Sequence, residues 1–405
     1  MKQKRPQGRD IPSLVQVLER RLRALTVCLS HSWGGLEQVA AADSVELAKL
    51  GLSVSVLVLE GSPIHENLAG KEGINIIPLS YRPRDFLDFK LKRELQKLCP
   101  EDGSGINLIH CHQPSLLGSI LPWLWRRKDV VVVASRHIMN HHNKRNPYHA
   151  LLFRRLDALI VMSHALKKNV LETHPLRERQ VKVIHLGIRF DQFDPEKIDP
   201  RLQRERWGVS EHTTVVGMVG RIDPAKGQST LLRAAAGLQV RKKEHIDFKF
   251  VIVGEETLGS SSNHLEELQE MVIQYGLQDS VVFAGYQDNI PEVMRAFDIF
   301  VMPSKEETFG LVAIEAMAME CPIVISRGGS ADEIVGEEEF GLLIRPQDAF
   351  DLQRQISYLL DNPLDRVKMG INARNHVMNE YDRLGRIQRT LMLYERLLRR
   401  RRGVS

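Results

Sequence analysis

The amino-acid sequence predicts an α/β protein with two domains, each a parallel sheet covered by helices. Short runs of β-branched residues alternate with helical patterns, and this alternation is typical of parallel sheets. The alternation occurs twice along the chain. It lapses between residues 185 and 212, where two prolines and mixed charge indicate a connection. The length of 405 residues also fits two or three domains.

The first series contains seven short apolar runs that we expect to form strands. They lie at residues 24–30, 53–59, 74–78, 107–111, 130–135, 158–162 and 180–184. Helical spacing of apolar residues separates most of them, for example at 36–50 and 115–127. The second series has strand candidates at 214–220, 248–253, 281–284, 299–302 and 322–326, with helices expected at 229–241, 265–275, 310–319 and 349–360.

These patterns set the expected domain boundaries. We expect an N-terminal domain at 1–188, a connection at 189–212, a C-terminal domain at 213–380 and a final helix at 381–405. Two such domains side by side would enclose a cleft, which is a common place for a ligand site.

The final helix is predicted from one apolar stripe with arginines largely around it. Its apolar residues follow at three- and four-residue spacing, at Leu384, Ile387, Leu391, Tyr394 and Leu398. One interpretation is a basic amphipathic helix that packs back on the N-terminal domain. The alternative is a helix whose apolar face touches anionic lipid.

The net charge of +5 belongs to the two ends of the chain. Residues 1–25 carry +5 and residues 383–405 carry +7, so the remainder carries −7. This distribution argues against a uniformly basic nucleic-acid-binding fold and leaves the ends free to contact an anionic surface.

No apolar run has the length of a membrane-spanning helix. The four cysteines are scattered, so we expect no disulfide framework and no zinc site. We therefore expect a cytoplasmic protein, with its basic ends at the inner face of a membrane.

Residues 303–318 contain the most informative pattern. A predicted strand leads into a loop with Glu307, and Gly310 then opens a helix that carries Glu315. Free N–H groups at a helix start attract oxygen-rich ligands, and two carboxylates can accept hydrogen bonds from vicinal hydroxyls of a sugar or ribose. A solvated loop acid and one ordinary helical glutamate remain the alternative interpretation.

Two further loops follow predicted strands. In residues 219–227, Arg221 and Lys226 lie in a strand-to-helix turn, where a pair of cations could hold a diphosphate. In residues 31–37, Gly34 and Gly35 would let backbone N–H groups approach a ligand closely. The glycine spacing is not that of a dinucleotide fingerprint, and an ordinary tight turn is the alternative.

Together these motifs resemble the retaining glycosyltransferases of family four, which have the two-domain GT-B fold. The resemblance spans residues from about 25 to 345 and rests on HSWGGLEQVA, LIHCH, SRH, MSHALKK, VGRIDPAKGQ and EETFGLVAIEAMA in this order. It implies two Rossmann-like domains that face a cleft, with the acceptor bound by the first and a nucleotide-diphosphate sugar by the second.

The resemblance also implies roles for residues of the second domain. Arg221 and Lys226 would neutralise the diphosphate, and Glu315 would bind the ribose hydroxyls. Glu307 would contact the hydroxyls of the donor sugar. Near Glu307 would lie the N–H groups of Phe309, Gly310 and Leu311.

In the first domain the resemblance places Gly34 and Gly35 near the donor phosphates and His137 opposite the transferred sugar. His137 begins a histidine-rich stretch that also contains Lys144 and Arg145. We interpret these two cations as an acceptor loop for a phosphorylated or anionic glycan, in preference to a metal site.

The expected activity is transfer of a sugar to a hydroxyl of a glycan or lipid-linked glycan, in synthesis of lipopolysaccharide or another cell-surface polysaccharide. Fixed cations would replace the metal that other transferases use, and the sequence contains no Asp-x-Asp. We expect no cofactor beyond the donor and no nucleic-acid partner. Two alternatives stay open: a nucleotide-sugar 2-epimerase of the same fold, and a catalytically dead relative that binds membrane or nucleic acid.

Overall fold

The computed structural model describes residues 10–84, 86–242, 247–256, 263–336 and 338–401. These residues form two compact units. Unit 1 contains Met1–His185 and Leu384–Ser405, and unit 2 contains Leu186–Arg383. All twelve strands expected from the sequence are found, so the α/β class with two parallel sheets is confirmed.

Unit 1 is built on one parallel sheet of seven strands. Its strands are β1 (Arg23–Cys28), β2 (Ser53–Leu59), β3 (Ile74–Leu79), β4 (Leu108–Cys111), β5 (Val131–Arg136), β6 (Ala158–Val161) and β7 (Val181–Val183). Its helices are α1 (Ile11–Leu18), α2 (Gly35–Lys49), α3 (Pro63–Leu68), α4 (Phe89–Leu98), α5 (Leu117–Ile120), α6 (Pro147–Phe153) and α7 (His164–Thr173). The strand order is β3-β2-β1-β4-β5-β6-β7, so the order reverses between β1 and β4. Ligands of open α/β sheets bind at such a switch point.

Unit 2 repeats this design with six parallel strands. They are β8 (Thr214–Val219), β9 (Phe248–Val253), β10 (Val281–Gly285), β11 (Ile299–Met302), β12 (Ile323–Ser326) and β13 (Leu342–Ile344). The helices are α8 (Arg201–Arg206), α9 (Gln228–Lys242), α10 (His264–Gln274), α11 (Ile290–Arg295), α12 (Leu311–Ala318), α13 (Ala331–Val335), α14 (Ala349–Asp361) and α15 (Pro363–Glu380). The order β10-β9-β8-β11-β12-β13 makes β8 and β11 neighbours, so their following loops meet at one sheet edge.

The last helix, α16 (Arg383–Arg401), supplies apolar side chains to the core of unit 1. Ile387, Leu391, Tyr394 and Leu398 are buried in the same cluster as Leu14 of α1. The apolar stripe is therefore covered by protein and not available to lipid. Leu384, which the spacing also assigned to the stripe, is 55% exposed. Residues 402–405, the end of the predicted helix, lie outside the described residues.

The structure corrects one predicted helix and adds one strand. The helix expected at 115–127 is only the single turn of α5, flanked by 3₁₀ turns at Pro114–Leu116 and Leu121–Leu124. Pro122 cannot donate the backbone hydrogen bond that a continuous helix needs there. Strand β13 was not predicted, because three residues give no usable periodicity.

Among the described residues, no helix has both the length and the apolar character that crossing a bilayer requires. All four cysteines are free and buried.

Candidate active site

Two loops at the carboxyl edge of the unit 2 sheet form the candidate site. The first follows β8 and ends in a 3₁₀ turn at Pro224–Lys226, and the second joins β11 to α12. The Lys305 N–H donates to the Ala225 carbonyl over 2.8 Å, which ties the two loops together. This position is the switch point of the sheet, where open α/β sheets bind their ligands.

The loops bring two of the predicted site residues into direct contact. Lys226 Nζ donates to Glu307 Oε2 over 2.8 Å. Both side chains are largely shielded from water, with 28% of Lys226 and 19% of Glu307 exposed. Charge-assisted hydrogen bonds of this length are roughly twice as strong as neutral ones. A cation and a carboxylate are thereby fixed side by side at the sheet edge.

Two glycines let the backbone approach closely enough for this contact. Gly227 has a φ of 88°, and a Cβ on it would clash with the Pro303 carbonyl. Gly329 has a φ of 57°, and a Cβ on it would clash with the carbonyl of Glu307 itself. Only glycine adopts such backbone angles at no steric cost. Gly329 thus supports the loop that carries Glu307.

The N-terminus of α12 adds backbone donors to the site. Gly310 is the N-cap residue in the left-handed region, and the helix proper begins at Leu311. Phe309 before it is buried, and its carbonyl accepts a 2.5 Å hydrogen bond from Ser330 Oγ. The first N–H groups of a helix have no intrahelical acceptor and carry partial positive charge. This end of α12 can therefore receive an anionic or hydroxyl-rich ligand.

Glu315 lies on the first turns of α12, among the buried residues Ala313, Ile314, Ala316 and Met317. Burial raises the pKa of Glu315 to about 8. Its carboxyl group has no hydrogen-bond or ion-pair partner among the described residues. Glu315 is partly buried, and a ligand that supplies hydrogen-bond donors, such as paired hydroxyls, would stabilise this carboxyl group.

Arg221 does not join the contact between Lys226 and Glu307. Its guanidinium lies 3.7 Å from a carboxylate oxygen of Asp223, and 63% of its side chain is exposed. Its carbonyl accepts a hydrogen bond from the Gln228 side chain over 2.7 Å, which fixes the backbone of the loop. The arginine side chain is therefore largely exposed to solvent in the loop that follows β8.

In unit 1, Gly34 and Gly35 lie between β1 and α2, as the sequence predicts. Gly34 is the N-cap of α2, and its N–H donates to Glu37 Oε2 over 2.9 Å. Gly35 does not have a positive φ, and no atom of the described residues lies within 4 Å of the position that a Cβ would take. The local fold of unit 1 therefore does not require glycine at position 35.

His137 follows β5 and ends a stack of three imidazoles. The rings of His110 and His112 are 4.3 Å apart, and those of His112 and His137 are 5.7 Å apart. Burial and the charge of Arg386 lower the pKa of His137 to about 3, so its ring is neutral at physiological pH. His137 Nε2 is buried, and no described residue offers it a hydrogen-bond partner. A neutral imidazole with an unused nitrogen can accept or donate one hydrogen bond to a hydroxyl.

The inner end of this stack is anchored to the last helix. His110 contacts Ser135 Oγ through Nε2 and Tyr394 OH through Nδ1, each over 2.7 Å. The stripe of α16 predicted Tyr394 as a packing residue, but sequence patterns gave no signal for its bond to a strand 284 positions away. The same holds for Arg386, whose Nη2 lies 2.7 Å from Asp43 Oδ2 in the interior of unit 1.

The cations Lys144 and Arg145 lie in the loop between β5 and α6. Lys144 is partly buried, and burial together with the charge of Arg136 lowers its pKa. Arg145 is exposed, and its backbone N–H donates to Asn143 Oδ1 over 2.8 Å. Like His137, both residues lie in the connection that follows the carboxyl end of β5.

Comparison with protein families finds two matches that together span most of the chain. The family model described as Glycosyltransferase Family 4 matches residues 33–192. The family model described as Glycosyl transferases group 1 matches residues 199–376 and contains the Lys226–Glu307 contact.

Several relatives carry the name D-inositol 3-phosphate glycosyltransferase. The chain is 27% identical over 372 residues to a D-inositol 3-phosphate glycosyltransferase of Corynebacterium jeikeium, covering 85% of this chain and 87% of the relative. It is 31% identical over 229 residues to the protein of that name from Salinispora arenicola, covering 55% of this chain and 51% of the relative. The second alignment thus spans about half the length of that relative.

Solved structures share the fold. A glycosyltransferase from Rickettsia africae superimposes with a TM-score of 0.82 at 19% identity, covering 93% of this chain and 98% of that one. The Anabaena protein HepE, solved in complex with UDP and glucose, superimposes with a TM-score of 0.76 at 21% identity, covering 93% and 100%. These likenesses confirm the GT-B fold that the sequence motifs implied.

Proposed function

Because the chain belongs to the glycosyltransferases of family four, we propose that it moves a sugar from a nucleoside-diphosphate sugar to a hydroxyl of a glycan acceptor. The observation that carries this proposal is the 2.8 Å contact between Lys226 and Glu307 at the switch point of the unit 2 sheet. It offers a cation for phosphate and a carboxylate for sugar hydroxyls within one small volume.

The donor would lie along the two loops of unit 2. Lys226 and Arg221 would hold the diphosphate, one as a point charge and the other through its planar fork. The N–H groups at Phe309, Gly310 and Leu311 would lie near the donor sugar, and Glu307 would accept from its hydroxyls. The partly buried carboxyl group of Glu315 would accept hydrogen bonds from the two hydroxyls of the ribose.

The reaction would proceed with retention of configuration at the anomeric carbon. The bond between that carbon and the phosphate oxygen breaks, and the acceptor oxygen bonds on the same face. The acceptor proton passes to the departing diphosphate, whose growing negative charge Lys226 and Arg221 stabilise in the transition state. These two fixed cations supply the positive charge that a metal ion would otherwise provide, so the reaction would need no metal.

In unit 1, we propose that His137, Gly34 and Gly35 contact the donor. The neutral ring of His137 would hydrogen-bond a hydroxyl of the transferred sugar through its unused Nε2. The open space at Gly35 would let the backbone approach the donor phosphates.

The acceptor would carry an anionic group. Lys144 and Arg145 supply two neighbouring cations in the loop after β5, and the named relatives act on a phosphorylated inositol. We place the reaction in cell-surface glycan synthesis at the inner face of a membrane, where lipid-linked acceptors lie. UDP is the first nucleotide to test, because HepE was solved with UDP.

Nucleotide binding and product analysis test the proposal. The melting temperature is measured with UDP, GDP and ADP, and then with their hexose derivatives in the presence of a strong chelator. A ligand that binds only the folded protein raises the melting temperature according to its affinity. We expect one nucleotide to stabilise the chain, and its sugar to be transferred with an unchanged anomeric configuration. No stabilisation by any nucleotide, an inverted product, or activity that only added metal restores would each contradict a named part of the proposal.

A further inference from the structure

Unit 1 has a cavity of about 460 Å³ that is separate from the residues assigned to sugar transfer. It lies beside the carboxyl-terminal end of α16. Its walls come from α6 and the turn after it, from the segment before β7, and from α16 itself. Five arginines line it: Arg154, Arg177, Arg179, Arg400 and Arg401.

The carboxylate in this cavity is already engaged. Asp157 accepts from Arg401 Nη2 over 2.6 Å and from Arg155 Nη1 over 3.1 Å. It also accepts from the backbone N–H of Val132 over 2.9 Å. Arg155 donates in addition to three backbone carbonyls, so it is a buried structural residue. The Asp157 carboxylate is therefore paired with Arg401 and Arg155, and it does not neutralise the other arginines of the cavity.

Four arginines at the cavity are left without compensation. Arg154, Arg177, Arg179 and Arg400 are exposed, and within the described ranges none has an ion pair or a side-chain hydrogen bond. Arginines in the last turn of a helix commonly stabilise its dipole, which would account for Arg400. The same account covers Arg154, which is the C-cap residue of α6, but it does not cover Arg177 and Arg179, which lie in the segment before β7.

Several cations that line one concave surface create a strong positive potential there, which attracts an anion. Guanidinium groups match the geometry of phosphate oxygens and bind them in a bidentate manner. The volume fits a ligand of small-molecule size. We infer that this arginine cavity, formed by Arg154, Arg177, Arg179 and Arg400 around the Asp157–Arg401 pair, binds the phosphate group of a phosphorylated small molecule or a lipid headgroup.

The positive surface continues around a neighbouring face of α16. A second cavity of about 500 Å³ is lined there by Lys182 and Arg396 together with the apolar side chains of Leu14 and Met392. Burial lowers the pKa of Lys182, and the charge of Arg396 lowers it further. Apolar groups beside cations suit a ligand with both a phosphate and a hydrocarbon part. Both cavities are formed by unit 1 alone.

The test uses the full chain and the triple variant R177Q/R179Q/R400Q. The matched control is R82Q/R93Q/R126Q, which removes three exposed arginines of unit 1 away from the cavity. Binding of pyrophosphate and of inositol hexakisphosphate is measured by calorimetry. Co-sedimentation is measured with phosphatidylcholine vesicles and with mixed vesicles that contain phosphatidylglycerol.

We expect the cavity variant to lose about a hundredfold in affinity for its phosphate ligand, at roughly fivefold per arginine. The control should keep its affinity. Loss with the soluble phosphates alone assigns a soluble ligand, and loss with the anionic vesicles assigns a lipid headgroup. Equal affinities of wild type and cavity variant for every probe would overturn the inference, as would an equal loss in the control. If the triple variant has a lower melting temperature than the wild type, the single variant R179Q replaces it in these measurements. Donor KM should stay unchanged in all of them, so failure here is distinguishable from failure of the proposed transfer reaction.

Discussion

Lys226 donates a 2.8 Å hydrogen bond to Glu307, although 81 positions separate the two residues in the chain. The contact exists because β8 and β11 are neighbours in the sheet and because Gly227 packs against Pro303. It fixes the lysine charge at the place where we propose that diphosphate departs.

Replacement of Lys226 by methionine keeps most of the apolar stem and removes the charge. We expect kcat to fall by about 100- to 1,000-fold, because one fixed group that stabilises transition-state charge contributes that much. Steady-state kinetics measure the effect, with the nucleotide sugar that raises the melting temperature of the protein as donor. Lys305→Met is the matched control, since Lys305 is exposed in the loop that follows β11. A Lys226→Met enzyme that keeps the wild-type kcat would remove the lysine from the mechanism.

The sequence predicted both members of this pair but not their contact. Motif spacing indicates which residues lie in loops at strand ends, whereas the pairing of β8 with β11 depends on the order of strands in the sheet. Gly329 illustrates the same limit, because its role depends on the Glu307 carbonyl, which lies against it only in the fold. Local patterns also failed where one residue overrides periodicity. Pro122 ends the expected helix, and Leu384 fits the apolar spacing of α16 but lies on its exposed side.

The raised pKa of Glu315 predicts a pH-dependent stability. Burial raises that pKa from 4.5 to about 8, so between these values the folded chain holds a proton that the unfolded chain releases. Stability therefore falls as the pH rises from about 5 to about 8, and this contribution is flat above the folded pKa. Glu315→Gln cannot ionise and should lose this slope. Urea unfolding of both proteins across that range measures the difference, and parallel curves would show that Glu315 is ionised in the folded protein.

The ion pair between Arg386 and Asp43 predicts a large effect on the stability of unit 1. Its atoms lie 2.7 Å apart, with only 6% and 9% of the two side chains exposed, and it joins α16 to α2. Arg386→Met leaves the Asp43 carboxylate buried without this partner, and we expect a loss of about 3–5 kcal/mol in the free energy of unfolding.

The matched control for this pair is Arg354→Met in α14. Arg354 lies 2.5 Å from Asp351 but is 65% exposed, so its loss should cost at most about 1 kcal/mol. Denaturant unfolding followed by circular dichroism compares the two variants. Similar losses in both would mean that burial does not set the strength of the Arg386–Asp43 pair.

Substitution of Gly35 is expected to affect donor binding without weakening the fold. A Cβ at this position would meet no atom within 4 Å in the part of the chain that the structure describes, and the backbone is not in the left-handed region. Gly35 is also the first residue of α2, where alanine is the better helix former. Gly35→Ala should therefore leave the free energy of unfolding unchanged or raise it by up to about 1 kcal/mol. If the donor phosphates approach this backbone, the added methyl group occupies their space, and the donor KM should rise about tenfold or more while the fold is retained. Thermal unfolding and donor kinetics on the same preparation measure both quantities. An unchanged KM in a stably folded Gly35→Ala protein would place the phosphates elsewhere and leave the glycine without a role in binding.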